Sequence, residues 1–189
     1  MNLKKALIFS LFLAAGSTAA FAQSSNLKKA KTNLQKFEEL KSAGSAALGK
    51  GNLEGAKEAI ELASAHDKTK NDPETWTVYA LISANVATFD KSDEAAAKAQ
   101  EAIAKAKELD SKKEHSSNIE VAGQVLGQYN FNKGIEAWDK QDFTNAYKSF
   151  GQALTFLPGD TTLTYYSGLA AIQNKDYPNA IAKYKELVP

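Results

Sequence analysis

The sequence has no cysteine and no arginine, and all 23 of its basic residues are lysine. Without cysteine the chain can form no disulfide, no thiolate metal site and no thiol nucleophile. Without the planar guanidinium group it lacks the side chain best suited to recognise phosphate and guanine, which argues against nucleic-acid recognition. Only two histidines are present, His66 and His115. Neither has a second His or Cys at metal-ligand spacing, so a zinc or histidine-based catalytic centre is not expected.

The chain also lacks an excess of charge and a long apolar run in its main part. The 23 basic residues face 22 acidic ones, for a formal net charge of +1. Such a balance creates no overall field that would attract nucleic acid or an anionic membrane. A length of 189 residues with 43% hydrophobic and 24% charged residues is typical of one compact domain, or of two at most.

The first 22 residues are predicted to form a secretory signal peptide. Lys4 and Lys5 precede an apolar run at 6–15, and Ala20-Phe21-Ala22 provides a small-x-small cleavage signal. The run is too short to span a bilayer, which takes roughly 20 apolar residues. We expect cleavage after Ala22 and an exported chain, periplasmic or secreted, without a membrane span in its mature part. A retained, uncleaved anchor is the alternative.

Residue types recur at a shift of 34 near the C-terminus. The matching pairs are Gly134 and Gly168, Ala137 and Ala171, Asp142 and Asp176, Asn145 and Asn179, Ala146 and Ala180, Phe143 and Tyr177, and Phe150 and Tyr184. Each unit has the periodicity of two amphipathic helices separated by a short polar turn, at 140–142 in one and 174–176 in the other. A period of this length is a signature of repeat architectures.

The repeated pattern has a packing explanation. Small side chains allow two antiparallel helices to cross closely, and aromatic rings fill the space beside the crossing. The small residues are Gly134, Ala146 and Ala153, the aromatic residues are Phe143 and Phe150, and Pro158 closes the unit. Together with the period of 34, this pattern resembles the tetratricopeptide repeat. The resemblance implies an all-α fold, a right-handed α-solenoid of about four antiparallel helix pairs that bury a continuous core by stacking.

The resemblance extends upstream in weaker form. We expect a signal peptide at 1–22, two degenerate helix pairs within 23–110, a polar linker at 111–118 and two clear repeat units within 119–189. In the first pair, helices are predicted at about 26–48 and 53–66, with Gly44 as the small crossing residue and the turn at 49–52. In the second pair, helices are predicted at about 76–89 and 92–109, with Asp72 as N-cap and Pro73 in the first turn.

One segment has the form of a phosphate-binding loop. Gly44, Gly49 and Lys50 fit G-x-x-x-x-G-K, but Gly51 occupies the place of the Ser or Thr that would contact Mg²⁺. The preceding residues 34–42 are predicted to be helical, whereas such a loop follows a strand. We therefore interpret the segment as a turn between helices and expect no cofactor.

Two apolar stripes identify the candidate binding residues. They are Phe131, Ile135 and Trp138 on one helix, and Tyr165, Leu169 and Ile172 at the same spacing one unit later. In tetratricopeptide-like arrays, residues at these places of the first helix line the concave groove. The resemblance thus implies a groove for an extended peptide or an amphipathic helix, with Trp138 as its anchor. The alternative is that these side chains pack between neighbouring repeats.

The function expected from this pattern is non-catalytic. The chain would be an exported scaffold or adaptor that holds another envelope or secreted protein in its groove. Two other classes stay open, a helical accessory part of a larger secreted enzyme and a structural element that forms homo-oligomers through its last repeat. The last unit ends about five residues before its period is complete, which fits either a piece of a longer array or an exposed self-association surface.

Overall fold

The computed structural model describes residues 26–188, and no β-strand occurs in this range. The eight α-helices are α1 (26–42), α2 (Lys50–Ser64), α3 (Pro73–Asp90), α4 (Asp93–Leu109), α5 (Ser116–Asp139), α6 (Phe143–Phe156), α7 (Thr161–Gln173) and α8 (Tyr177–Lys185). A 3₁₀ turn, Ala46–Gly49, leads into α2. The predicted all-α class is therefore confirmed for the described residues, whereas the predicted signal peptide lies outside them.

The helices pack in chain order. α3 packs on α4, α5 on α6 and α7 on α8, and these pairs are joined by contacts of α2 with α3, α4 with α5, and α6 with α7. Helices that follow one another through short turns and pack together run antiparallel. Contacts between α3 and α5 add a link between the first helices of neighbouring pairs. Within 26–188 every helix falls short of the length and apolarity that a bilayer crossing would need.

The turns inside three of the helix pairs share one conformation. Each contains a residue in the left-handed region, and these are Lys91 (φ 52°), Gln141 (φ 60°) and Lys175 (φ 59°). The residue after it donates its N–H to the carbonyl five residues earlier, at 3.1, 2.9 and 2.8 Å for Ser92, Asp142 and Asp176. These same three side chains then accept from the third N–H that follows them. Each turn thus combines a Schellman motif, which ends the first helix, with an N-cap residue, which begins the second.

The first helix pair ends its first helix in the same way, which corrects the prediction made for Gly44. Gly44 has φ 73°, and the Ser45 N–H donates to the Leu40 carbonyl at 2.8 Å. α1 therefore ends at residue 42 rather than at 48. Gly44 is exposed and belongs to the turn, not to the helix crossing.

The close approach in the first pair is made by Gly49 instead. A Cβ at Gly49 would lie 2.9 Å from Cδ2 of Phe37, whose ring is buried. The predicted turn at 49–52 is accordingly wrong, because Gly49 ends the 3₁₀ turn and 50–52 already belong to α2. In this pair the large residue is on the first helix and the small one directly precedes the second. In the two C-terminal pairs the arrangement is reversed, with Phe150 packed over Gly134 and Tyr184 over Gly168.

The predicted N-terminus of α3 is confirmed. The Asp72 carboxylate accepts from the Glu74 N–H at 2.9 Å, and Pro73 opens the helix. The helix α5, however, begins at Ser116, inside the predicted linker at 111–118. Asp110 directly precedes this linker, and its carboxylate accepts hydrogen bonds from the N–H groups of Glu114 and His115, both at 2.9 Å, where α5 is about to begin.

The buried apolar residues form two clusters that meet in α5. The first extends from Leu27 in α1 to Tyr129 in α5, and the second is centred on Phe150 and includes residues of α5, α6 and α7. Between them lies Asn130, which is buried and donates its side-chain amide to the Leu126 carbonyl at 2.9 Å. α5 is long enough, at 24 residues, to contribute to both clusters.

Candidate partner-binding cleft

A cleft of about 530 Å³ lies between the C-terminal end of α3 and the middle of α5. Phe131 and Ile135, both half-buried, line it as apolar residues of α5. Thr88 of α3 and Asn132 of α5 are exposed beside them. The cleft therefore offers apolar surface between polar groups, which is the usual make-up of a binding pocket.

The charged residues around the cleft pair with one another. Lys91, in the turn after α3, donates to the Glu136 carboxylate at 2.5 Å, and Lys133 donates to the Asp93 carboxylate. The bond from Lys91 holds the pKa of Glu136 below its ordinary value. Both pairs join the α3–α4 turn and the start of α4 to α5, and because their side chains are exposed each contributes at most about 1 kcal/mol.

The Asp93 carboxylate accepts a second hydrogen bond at the same place. The Tyr129 hydroxyl donates to it at 2.7 Å. The hydrogen bonds from Lys133 and then Tyr129 hold the pKa of Asp93 below its ordinary value. Burial, followed by this carboxylate, raises the pKa of Tyr129. The phenol consequently stays protonated and available as a donor throughout the neutral pH range.

The three predicted residues of α5 do not share one environment. Phe131 packs on Phe150 and Tyr166, with ring centroids 6.0 and 6.2 Å apart. Trp138 packs edge-on against Phe143, with centroids 5.0 Å apart. Phe131 and Ile135 line the cleft, whereas Trp138 is not among its lining residues. The Trp138 ring thus contributes to the packing of α5 on α6 and is a poorer anchor candidate than Ile135.

The three predicted residues of α7 are more open. Tyr165 is 48% exposed and Ile172 is 39% exposed, while Leu169 is half-buried. Tyr166 links the two stripes, since its ring lies 5.9 Å from that of Tyr165 as well as in contact with Phe131. Tyr166 lies outside the six predicted residues, although the Tyr165-Tyr166 pair is visible in the sequence.

The left-handed turn residue of each helix pair can be used to identify equivalent positions in all four pairs, including the two that do not follow the 34-residue period. Counting ten, six and three residues back from Gln141 or Lys175 gives the two predicted stripes. The same count from Lys91 gives Leu81, Asn85 and Thr88, and from Gly44 it gives Leu34, Glu38 and Lys41. The first two helix pairs therefore carry equivalent positions with partly polar residues.

In the first half of the chain, side chains at these equivalent positions form hydrogen bonds with one another. Asn85 is 2% exposed and donates to the Glu38 carboxylate at 2.7 Å. Its side-chain oxygen accepts from Lys41 at 2.8 Å. This network occupies the space between α1 and α3. The open part of the stripe begins at Thr88 and continues along α5.

Among residues 26–188, no group of three or more His, Cys, Asp or Glu side chains could hold a metal ion. A comparison with protein-family models finds no match. A comparison with curated proteins likewise finds none. Among solved structures, the chain is similar to one described as the crystal structure of MamA protein, at 13% identity over 84% of this chain and 90% of that chain, with a TM-score of 0.31. At that TM-score the similarity carries no argument about function.

Proposed function

We propose that this chain is a tetratricopeptide-like solenoid that acts as a non-catalytic adaptor and holds a segment of another protein. In this proposal residues 1–22 direct its export, and the partner is an envelope or secreted protein. The serial packing of α3 to α8 supports the solenoid. The recurrence of one turn conformation at Lys91, Gln141 and Lys175 supports a repeated unit.

The observation that carries the proposed binding role is the cleft between α3 and α5. Its apolar residues, Phe131 and Ile135, are accessible, and its four charged residues already have partners within the chain. An occupant needs no charge of its own in such a site. It gains free energy by burying apolar side chains, at about 25 cal/mol for each Å² removed from water. An apolar segment with an accessible backbone, which Asn132 and Thr88 can hydrogen-bond, fits this chemistry.

Site-specific photo-crosslinking in envelope extract tests the proposal. A photo-reactive residue at Asn132 is expected to give a discrete adduct with a second protein. The same residue at Lys148, which is exposed on α6, serves as the matched control and is expected to give none. Ile135→Asp should abolish the adduct at 132, because it places a carboxylate in the apolar part of the cleft. Equal adducts at 132 and 148, or an adduct that persists in Ile135→Asp, would exclude this cleft as the binding surface.

A second candidate function is self-association. α8 exposes two large apolar side chains, Tyr177 at 58% and Ile181 at 56%. The half-buried Tyr184 of the same helix contacts the ring of Tyr165 in α7, with ring centroids 6.1 Å apart. Contiguous apolar surface of this kind marks interaction sites. Sedimentation velocity across a concentration series separates the two candidates. Self-association predicts a dimer that Ile181→Lys dissociates, and a monomer at every concentration excludes it.

A further inference from the structure

One side of α8 has the residue pattern of a helix face that packs on another helix. Tyr177, Ile181 and Tyr184 are separated by four and three residues, so they lie on the same side of the helix. The last two stand 34 residues after Tyr147 and Phe150 of α6. The two helices therefore carry large apolar side chains at equivalent positions.

On α6 these positions are covered by the helix that follows. α6 packs on α7, and the buried ring of Phe150 lies 5.7 Å from that of Tyr166 in α7. Tyr147 is half-buried and packs on the cluster that includes Leu163 of α7. A face of this kind thus accepts a helix along it elsewhere in the same chain.

On α8 the corresponding face is open. α8 packs on α7, and no other helix within residues 26–188 covers Tyr177 or Ile181, both more than half exposed. Tyr184 is only half-buried, whereas its equivalent Phe150 is fully buried. Burial of such a face stabilises by about 25 cal/mol for each Å² of apolar surface removed from water. An apolar helix from outside the chain is therefore the occupant that this face favours.

The first described helix does not supply a matching face. The exposed side chains of α1 are all polar, and its large apolar residues Leu27, Leu34 and Phe37 are buried. A head-to-tail contact of α8 with α1 of another copy would press lysine ammonium groups against Tyr177 and Ile181, which costs free energy. Contact of α8 with α8 of a second copy makes both sides apolar and closes as a two-fold symmetric pair.

We propose that two copies of this chain pair through α8 in an antiparallel, two-fold symmetric contact centred on Ile181. The inference rests on the self-association named above as the second candidate function, and it specifies the surface and the geometry. Ile181 is the middle residue of α8 (Tyr177–Lys185), so an antiparallel crossing places it at the symmetry axis. Lys185 is exposed and forms no ion pair within the described residues. The antiparallel arrangement brings it to the start of the other copy's α8, where the N-cap is the carboxylate of Asp176, whereas a parallel one would bring two Lys185 together.

Because the chain has no cysteine, a single introduced cysteine reports this contact. Ile181→Cys in the full chain is expected to form an interchain disulfide on mild oxidation, since the two thiols meet at the axis. Leu62→Cys in α2 is the matched control, because Leu62 is 56% exposed, as Ile181 is. Its disulfide should form about tenfold more slowly or worse, because pairing raises the effective concentration of the thiols at 181 alone.

Sedimentation velocity of the original chain across a concentration series is the second measurement. We expect a monomer–dimer equilibrium with a dissociation constant on the order of 10 to 100 µM, since one short helix gives a small interface. Lys185→Glu should weaken the dimer about threefold or more, because it faces Asp176 with a second carboxylate. Lys148→Glu makes the same change of charge on α6 and should leave the equilibrium unchanged.

The outcomes separate this geometry from the functions proposed above. A monomer at every concentration refutes self-association and the geometry together. A dimer with equal disulfide rates for Ile181→Cys and Leu62→Cys refutes the geometry alone. Species larger than a dimer that grow with concentration refute the closed pair. Crosslinking at Asn132 concerns a different surface, so the adaptor role is decided independently.

Discussion

Gly134 lies directly beneath the ring of Phe150. A Cβ at position 134 would stand 2.4 Å from Cε1 and 2.5 Å from Cδ1 of that ring. Phe150 is fully buried and in ring contact with Phe131 and Tyr166, so it has no free space to move into. The pair sets how closely α5 and α6 approach.

Gly134→Ala is therefore expected to destabilise the protein. The added methyl group overlaps the Phe150 ring and forces α5 and α6 apart, at a cost of about 1 to 3 kcal/mol. Urea unfolding followed by circular dichroism measures this change. Gly151→Ala is the matched control, because a Cβ there meets no atom within 4 Å. In α6 that control should stabilise by up to about 1 kcal/mol, since alanine is the better helix former. A loss of stability as large in Gly151→Ala would show that the ring contact is not the cause.

Gln141→Gly is expected to stabilise the protein by about 0.5 to 1 kcal/mol. Gln141 has φ 60°, a conformation that costs an L-residue about 1 to 2 kcal/mol but costs glycine nothing. Part of the gain is offset because glycine gives the unfolded chain more freedom. Lys140→Gly changes the neighbouring residue, whose φ is −84°, and should destabilise. Thermal unfolding of the two variants compares them directly. A lower midpoint for Gln141→Gly would contradict the proposed strain.

Tyr166 and Tyr165 are neighbours with different environments, and their alanine variants should differ. Tyr166 contacts both Phe131 and Phe150, so Tyr166→Ala opens a cavity in the second cluster and costs about 2 kcal/mol or more. Tyr165 is 48% exposed, and Tyr165→Ala should cost less than about 1 kcal/mol. Denaturant unfolding measures both. Equal losses would mean that the second cluster does not extend through Tyr166.

The pairing of Asp93 predicts a pH dependence of stability. Its pKa in the folded chain is lowered below the ordinary 3.8 by Lys133 and then Tyr129. The stabilisation is therefore complete above the unfolded-state pKa, near pH 4, and is lost as the pH falls through the lowered folded-state value. Asp93→Asn should reduce stability at pH 7 and flatten its decline below pH 4. Urea midpoints from pH 2.5 to pH 7 provide the measurement.

The control for this prediction is Asp139→Asn. Asp139 is exposed and has no hydrogen bond or ion pair within the described residues. Its substitution should leave both the midpoint at pH 7 and the acid decline close to those of the original chain. Tyr129→Phe removes one of the two donors to Asp93 and should give a smaller change than Asp93→Asn. If all three variants show the same dependence of the urea midpoint on pH, Asp93 does not contribute to acid sensitivity.

The local pattern of the sequence predicted the turns within the two C-terminal helix pairs closely, although α5 begins inside the predicted linker. Polar turns were expected at 140–142 and 174–176, and α5 to α8 end and begin at these places. Such turns are local, because a cap residue such as Asp142 bonds to an N–H only three residues away. The predicted N-cap at Asp72 was confirmed for the same reason.

The prediction of the small crossing residue in the first pair was wrong because it depended on a contact between helices. Gly44 and Gly49 are both glycines near a helix end, and sequence alone assigned the crossing to the wrong one. Phe37 packs on Gly49 and so makes it the small residue of the close approach, whereas the left-handed conformation of Gly44 ends α1. Whether a small residue lies at a turn or under a ring depends on the neighbouring helix, which a short sequence window does not contain.

The sequence analysis named Phe131 and Ile135, two residues that line the cleft. Phe131 and Ile135 follow from helical periodicity, since residues four apart lie on one face. Lys91 and Glu136, or Asp93 and Lys133, are about 40 residues apart and meet only through packing of the α3–α4 turn on α5. The six predicted residues also differ in their environments, since Trp138 packs against Phe143 whereas Tyr165 is exposed.

Periodicity, turn chemistry and capping are properties of residues close together in the chain, so the amino-acid sequence was enough to predict the all-helical class of residues 26–188 and a 34-residue recurrence near the C-terminus. The placement of one helix on another was not contained in those local rules. It depends on how side chains from distant segments fill shared space, as Phe150 does over Gly134, and on which charges then find partners. Packing alone therefore determined which apolar residues stayed accessible in a cleft and which buried hydroxyls, those of Thr75 and Ser167, were left without a hydrogen-bond partner within residues 26–188.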